Sequence, residues 1–120
     1  MPESKKIMIA DDDSGIVDAI EIMLDFEGYN VVSTLTGDTV LHMDSDYPDL
    51  RLLDVWMSGH DGRAICKKLK QKQETQKIPV IMISASPELK RSATEAGADD
   101  FLEKPFDIDN LLGKIAQLIK

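Results

Sequence analysis

Three separated groups of charged residues carry the chemistry open to this sequence. Asp11-Asp12-Asp13 follows the apolar run Ile7-Met8-Ile9-Ala10, Asp54 follows Leu50 through Leu53, and Lys104-Pro105 follows Phe101-Leu102. Ser84 ends a further apolar run, Val80-Ile81-Met82-Ile83. Carboxylates crowded at one place repel one another, which raises some of their pKa values unless a cation sits among them. Mg²⁺ is such a cation: it prefers oxygen ligands, keeps several waters and needs only one or two carboxylates besides phosphate oxygens. A carboxylate in that setting can act as a nucleophile and become an aspartyl phosphate. A lysine would balance one phosphoryl oxygen, and a hydroxyl would hydrogen-bond another.

Taken singly, each residue has a plainer reading. Carboxylates after a strand routinely cap the first turn of a helix and offset its dipole, and Asp13 is expected to do so. Asp54 alone would be a turn residue, Ser84 a helix cap and Lys104 a solvated lysine. Their shared placement weighs against coincidence. Each falls at the C-terminal end of a predicted strand, the edge where open parallel sheets place their ligand sites.

The elements that must position them alternate along the chain. Ile16, Ile20, Met23 and Leu24 recur at helical spacing after the first strand, and Gly28 is a stop. Val31-Val32 is a short second strand, and residues 36–43 form a weakly patterned helix. Pro48-Asp49 opens the third strand, and a loop with Gly59 and Asp61-Gly62 follows it. A helix then carries Ala64, Ile65 and Leu69. Pro79 opens the fourth strand, and Pro87 suits the first turn of a helix that Gly97 ends. The fifth strand is about Asp100 to Leu102, and a last helix buries Leu111, Leu112, Ile115, Leu118 and Ile119. Five strands alternating with five helices imply a parallel sheet covered on both faces. Arg51 fits poorly inside a central strand, where its stem would snorkel or its head pair with a carboxylate.

The 120 residues suit one domain over 1–120. A net charge of −8 argues against nucleic-acid binding by this domain and against anionic membrane surfaces. No apolar run approaches a membrane span, and four apolar residues are too few for a signal segment. The single cysteine, Cys66, makes no internal disulfide and reads as a core residue in a reducing cytoplasm.

The ordered stretches Ile7 to Asp13, Pro48 to Asp54, Met57 to Gly62, Pro79 to Ala85 and Ala96 to Phe106 resemble receiver domains of two-component response regulators, over the whole length. The resemblance implies a flavodoxin-like doubly wound sheet of strand order 2-1-3-4-5. It implies that Asp54 accepts the phosphoryl group in a Mg²⁺-dependent reaction, in which Mn²⁺ substitutes. Asp12 would be a direct metal ligand, Asp11 a ligand through water, and Asp54 and the backbone carbonyl of Trp56 further ligands. Ser84 matches the switch hydroxyl, with Ala85 beside it, Phe101 the switch aromatic and Lys104 the phosphate-pairing lysine. The Lys104-Pro105 bond is usually cis in that family. The donor would be a sensor histidine kinase or a histidine phosphotransfer protein. The output would be contact with a downstream protein, or a phosphorylation-dependent homodimer, through the fourth helix, fifth strand and fifth helix. Such a switch catalyses only its own phosphorylation and dephosphorylation, either standing alone or as part of a larger protein. This sequence departs from the family pattern at Ser58 for proline, Ser84 for threonine, Phe101 for tyrosine and a large Trp56. Ser58 would loosen the loop after Asp54.

Other readings compete. Asp11-x-Asp13 resembles the nucleophile motif of haloacid-dehalogenase-type phosphatases, with Ser84, Lys104 and Asp99-Asp100 as partners. That reading leaves Asp54 unexplained. A flavodoxin-like cofactor binder would need a phosphate-cradling loop where three carboxylates stand. A receiver fold used only for docking would have no need of the intact acids, hydroxyl and lysine.

Overall fold

The computed structural model of the chain describes residues 5–34, 40, 47–57 and 60–119. In chain order its elements are β1 (Lys6–Ala10), α1 (Ser14–Phe26), β2 (Asn30–Thr34), β3 (Leu50–Asp54), β4 (Trp56–Met57), β5 (His60–Asp61), α2 (Gly62–Gln71), β6 (Val80–Ser84), α3 (Leu89–Ala96), β7 (Asp100–Glu103) and α4 (Ile108–Leu118). Five strands form one sheet in the order β2-β1-β3-β6-β7, all neighbours parallel.

The count differs from the expectation in two ways. The stretch expected to be only a loop after Asp54 contains the two-residue strands β4 and β5, paired antiparallel as a separate hairpin. In chain numbering this corrects the 2-1-3-4-5 expected from five strands, because the hairpin takes the fourth and fifth places and the outer strands become β6 and β7. Five helices were expected, and the described residues contain four. The weak helix at 36–43 lies outside them apart from Val40, which is helical and buried.

Period-two alternation divides the core. One face of the sheet carries Ile7 and Ile9, Leu50 and Leu52, Ile81 and Ile83, with Leu102; these pack on Val17, Ile20 and Leu24 of α1 and on Leu111 and Ile115 of α4. The other face carries Met8, Ala10, Leu53, Val80 and Met82; these pack on Ile65, Cys66 and Leu69 of α2 and on Leu89, Ala93 and Ala96 of α3. β3 and β6 are buried on both faces throughout, which is why β6 reads as an apolar run up to Ser84 and β3 as one interrupted only by Arg51 before Asp54. Burial pushes the Cys66 thiol up to about 11, leaving it protonated in the core.

Some sequence-level assignments shift. The buried stripe of α1 is Val17-Ile20-Leu24, and Met23 faces solvent. Ala64 is exposed where Cys66 is buried, and Leu112, Leu118 and Ile119 are half-buried. Pro87 precedes α3 rather than opening it. Arg51 does not snorkel: it is 0% exposed, and burial lowers its pKa, opposed by Tyr47. Gly97 ends α3 at φ 85°, a backbone conformation that glycine adopts without cost.

The far end of the sheet is tied by one lysine. Lys70 Nζ donates to Asp99 Oδ2 at 2.7 Å and to the Ile78 and Gln76 carbonyls, and Asp99 Oδ2 also accepts the Val80 N–H at 2.8 Å. Among the described residues no helix is long and apolar enough to cross a membrane.

Truncating a core side chain should separate clearly from truncating a surface one. Leu52→Ala is expected to lower unfolding free energy by about 2–5 kcal/mol, whereas Ile22→Ala, at a side chain 71% exposed, should stay within about 0.5 kcal/mol. Urea denaturation of both variants checks this; equal losses would contradict the packing described.

Candidate functional site

The parallel register brings the C-terminal ends of β1, β3, β6 and the segment after β7 to one edge. Asp11 follows β1 and is almost fully buried, Asp54 ends β3 and is 8% exposed, and Asp12 beside them faces solvent. One carboxylate oxygen from each of Asp11, Asp12 and Asp54 lies within 4.8 Å of the others. Lys104 reaches in from the end of β7. Its Nζ donates to Asp11 Oδ2 at 3.1 Å and stands 3.7 Å from Asp54 Oδ2. The Lys104 backbone N–H donates to the Ser84 carbonyl at 2.9 Å, which fixes that reach to the end of β6.

Asp13 is the helix cap the sequence called for. Its Oδ1 accepts the Gly15 and Ile16 N–H groups at 3.0 and 3.2 Å, while its own N–H donates to Asp11 Oδ1 at 3.0 Å. Thus Asp11 is oriented by two donors, one of them a lysine. The Ser84 hydroxyl accepts the Ser86 N–H at 3.0 Å, which leaves its own O–H to donate. Phe101 stands back from the acid cluster. It pairs with Met82 in the sheet register, is half-buried against that face, and has Lys114 Nζ 5.5 Å from its ring centre. The Lys104–Pro105 peptide is cis. Ala85, Lys104 and Pro105 line a cavity of about 490 Å³ with Ile16, Ala19 and Met23 of α1.

Crowding shows in the acid strength of Asp54. Its pKa is raised from 3.8 to about 6, by loss of hydration first and by the neighbouring Asp11 charge second. Lys104 pulls it back down, and so does a hydrogen bond donated by the Trp56 backbone N–H. The donor set is all hard oxygen and its charge is incompletely balanced, which fits a small divalent cation.

Sequence reasoning gave Gly62 no role beyond a loop. A Cβ there would collide with the Asp54 carbonyl oxygen, and the Gly62 N–H donates to the Val55 carbonyl at 2.6 Å. The start of α2 therefore rests directly on the end of β3. Only the Asp61-Gly62 pair ahead of a helical pattern signalled this. Asp61, which caps α2, and Arg63, which it grips, were likewise missed as a unit. Ser58 and its proposed effect on the loop lie outside the described residues.

Comparison with known proteins agrees with this geometry. Residues 7–116 match the response regulator receiver domain family. The chain is 34% identical over 119 residues to the DNA-binding dual master transcriptional regulator RpaA of Synechocystis, covering 96% of this chain and 49% of that protein. It is 38% identical over 120 residues to the response regulator PleD of Caulobacter vibrioides, covering 98% of this chain and 26% of that protein. This chain thus spans half or less of both relatives. A receiver domain protein of Methanospirillum hungatei, described as CheY-like, superimposes with a TM-score of 0.87 at 28% identity, covering 97% of this chain and 94% of that one. The chain belongs to the response regulator receiver domain family, the switch module of two-component signal transduction, on an α/β flavodoxin-like fold with a parallel five-stranded sheet.

The raised Asp54 pKa has a definite sign. In the unfolded chain the carboxyl ionises near its ordinary 3.8, while the folded site keeps its proton until about pH 6. Across that window the unfolded state binds fewer protons, so rising pH lowers the stability of the metal-free protein, and the loss levels off above it. Asp54→Asn removes this loss. The stability difference, Asn variant minus parent, should grow by on the order of 2 kcal/mol between pH 4 and pH 7. Urea titrations at both pH values in a chelator measure it, and a difference that does not change with pH would contradict the assignment.

Proposed function

We propose that the chain is a single receiver domain over residues 1–120 that takes a phosphoryl group on Asp54 and relays the change to protein contacts. The observation that carries this reading is Lys104 Nζ placed within 4 Å of both Asp11 and Asp54, with Asp12 completing the oxygen cluster. Asp54 Oδ attacks phosphorus, the new O–P bond forms, and the bond from phosphorus to the donor breaks. A histidine of a sensor kinase or phosphotransfer protein is the donor; its imidazole leaves and takes up a proton. Asp11, Asp12 and Asp54, with the Trp56 backbone carbonyl, would hold Mg²⁺, or Mn²⁺ in its place, and that ion would neutralise phosphoryl charge. Lys104 offers its ammonium to a phosphoryl oxygen as its pull on Asp54 is released. The Ser84 hydroxyl donates to another, and Phe101 turns inward against the sheet as the segment after β6 moves. The resulting contact surface is the face of α3, β7 and α4, for a downstream protein or a second phosphorylated copy. The module catalyses its own phosphorylation and dephosphorylation, and a cytoplasmic setting fits its free buried thiol.

RpaA is described as DNA-binding, but it is twice the length of this chain. The net charge of −8 argues against nucleic-acid binding by this domain. A phosphatase with Asp11 as nucleophile finds no support. Asp11 is buried and already held by the Asp13 N–H and Lys104. Asp13 is spent on the helix cap. Asp99 sits at the opposite end of the sheet with Lys70 and the Val80 N–H, and Asp100 pairs with Lys114.

Asp54→Asn should abolish stable labelling by radioactive acetyl phosphate in Mg²⁺ while the circular dichroism spectrum stays that of the parent. Persistent labelling of that variant would sink the assignment. Ser84→Ala is expected to label, yet to transmit smaller amide shifts to α3 and β7 when a beryllofluoride mimic is added. Full shifts in the Ala variant would remove Ser84 from the coupling.

A further inference from the structure

Trp56 and Arg63 lie outside the acid cluster, yet they are locked together at its edge. The Arg63 guanidinium carbon stands 5.0 Å from the centre of the Trp56 ring. Asp61 holds that guanidinium in a forked grip: Nε donates to Oδ1 at 2.9 Å and to Oδ2 at 3.2 Å, and Nη2 donates to Oδ2 at 2.7 Å. The same Asp61 Oδ1 accepts the Arg63 backbone N–H at 2.9 Å, so the start of α2 fixes the carboxylate that does the gripping. Across the hairpin, Asp61 is the register partner of Trp56. A closed loop of contacts results: Trp56 to Asp61 through β4 and β5, Asp61 to Arg63 through the ion pair, and Arg63 back to Trp56 over the ring face.

A part-exposed ion pair by itself adds little to stability. The position of this one gives it another use. Val55 alone separates Trp56 from Asp54, and the Trp56 N–H donates to the Asp54 carboxylate. Gly62, between Asp61 and Arg63, lies against the Asp54 carbonyl with no space for a side chain. The contact loop therefore straddles the acceptor residue, touching its backbone on one side and its carboxylate on the other. The indole is 59% exposed, so packing alone does not hold it. The grip is strong enough to keep the Asp61 carboxyl below the usual range, chiefly through the hydrogen bonds from Arg63.

We propose that Arg63 is a positioning residue for phosphoryl acceptance: gripped by Asp61, it pins Trp56 against the turn after Asp54 and keeps the acceptor carboxylate aimed for attack. This rests on the reading of Asp54 as the acceptor. Arg63 itself touches no reacting atom. Its planar fork is what the grip requires, since lysine keeps the charge over the ring but cannot take the carboxylate two-pronged.

Three readouts on the parent, Arg63→Met and Arg63→Lys decide it. They are the initial rate of labelling of Asp54 by radioactive acetyl phosphate in Mg²⁺, the hydrogen-exchange rate of the Trp56 backbone amide in the metal-free protein, and the urea midpoint. Both variants leave the Arg63 backbone N–H on Asp61, so α2 keeps its cap. For Arg63→Met, labelling should slow roughly tenfold and the Trp56 amide should exchange roughly tenfold faster. The urea midpoint should stay where it is, and Arg63→Lys should fall between. Parental labelling of Arg63→Met with an unchanged Trp56 amide overturns the proposal. Slower labelling that merely follows a lower urea midpoint, with the Trp56 amide unmoved, overturns it too. A parent that takes no label at Asp54 overturns the acceptor reading itself, an outcome distinct from the other two.

Discussion

Like charges forced together at the end of a sheet are the constraint on which the rest of this structure depends. Three carboxylates share a space of 4.8 Å, and two of them are nearly closed to water. Such a group is tolerable only with compensation, and the fold supplies it in parts. Lys104 provides one positive charge, the Asp13 and Trp56 N–H groups provide donors, and Asp54 holds its proton to about pH 6. The compensation is incomplete. A site under electrostatic strain is responsive, because a cation or a phosphoryl group that relieves or redistributes the strain gains energy only in the arrangement that accommodates it.

The scaffold can carry that strain because the acids sit on its most heavily packed elements. β1, β3 and β6 are central, and the helices cover both of their faces in pairs, α1 with α4 and α2 with α3. Burial of these strands fixes where Asp11, Asp54 and Ser84 emerge. The close seat of Gly62 on Asp54 carries the placement one step further, since the helix that caps one face also buttresses the Asp54 backbone.

Much of this was legible in the residues. The apolar runs of β1, β3 and β6 announced buried parallel strands, and each chemical residue stood where such a strand ends. Less was legible where one-dimensional pattern and three-dimensional exposure part company. Met23 matches the helical spacing of Ile16 and Ile20 but falls on the rim of α1, because the sheet covers only a narrow stripe of that helix. The hairpin of β4 and β5 is too short to leave any alternation. The contact between Gly62 and Asp54 leaves no periodic trace, since a glycine needed for closeness looks the same in sequence as one needed for a turn. Arg51 contradicts the apolar run that contains it, and only burial on both faces of β3 shows that its head cannot escape to water.

The cross-linking by Lys70 gives the molecule a mechanical polarity. At the N-terminal ends of β6 and β7, one ammonium gathers two carbonyls and a carboxylate, and that carboxylate also clasps the next strand. At the opposite ends, the segment leaving β6 is held to its neighbours by the Lys104 N–H on the Ser84 carbonyl and by the Ser84 hydroxyl on Ser86. The sheet is therefore riveted at one margin and lightly latched at the other. A force applied at the latched margin would meet less resistance at the β6–α3 connection than at its root beside Lys70. Any displacement of the β6–α3 connection would meet its firmest restraint toward Lys70, where the fulcrum of such a movement would lie.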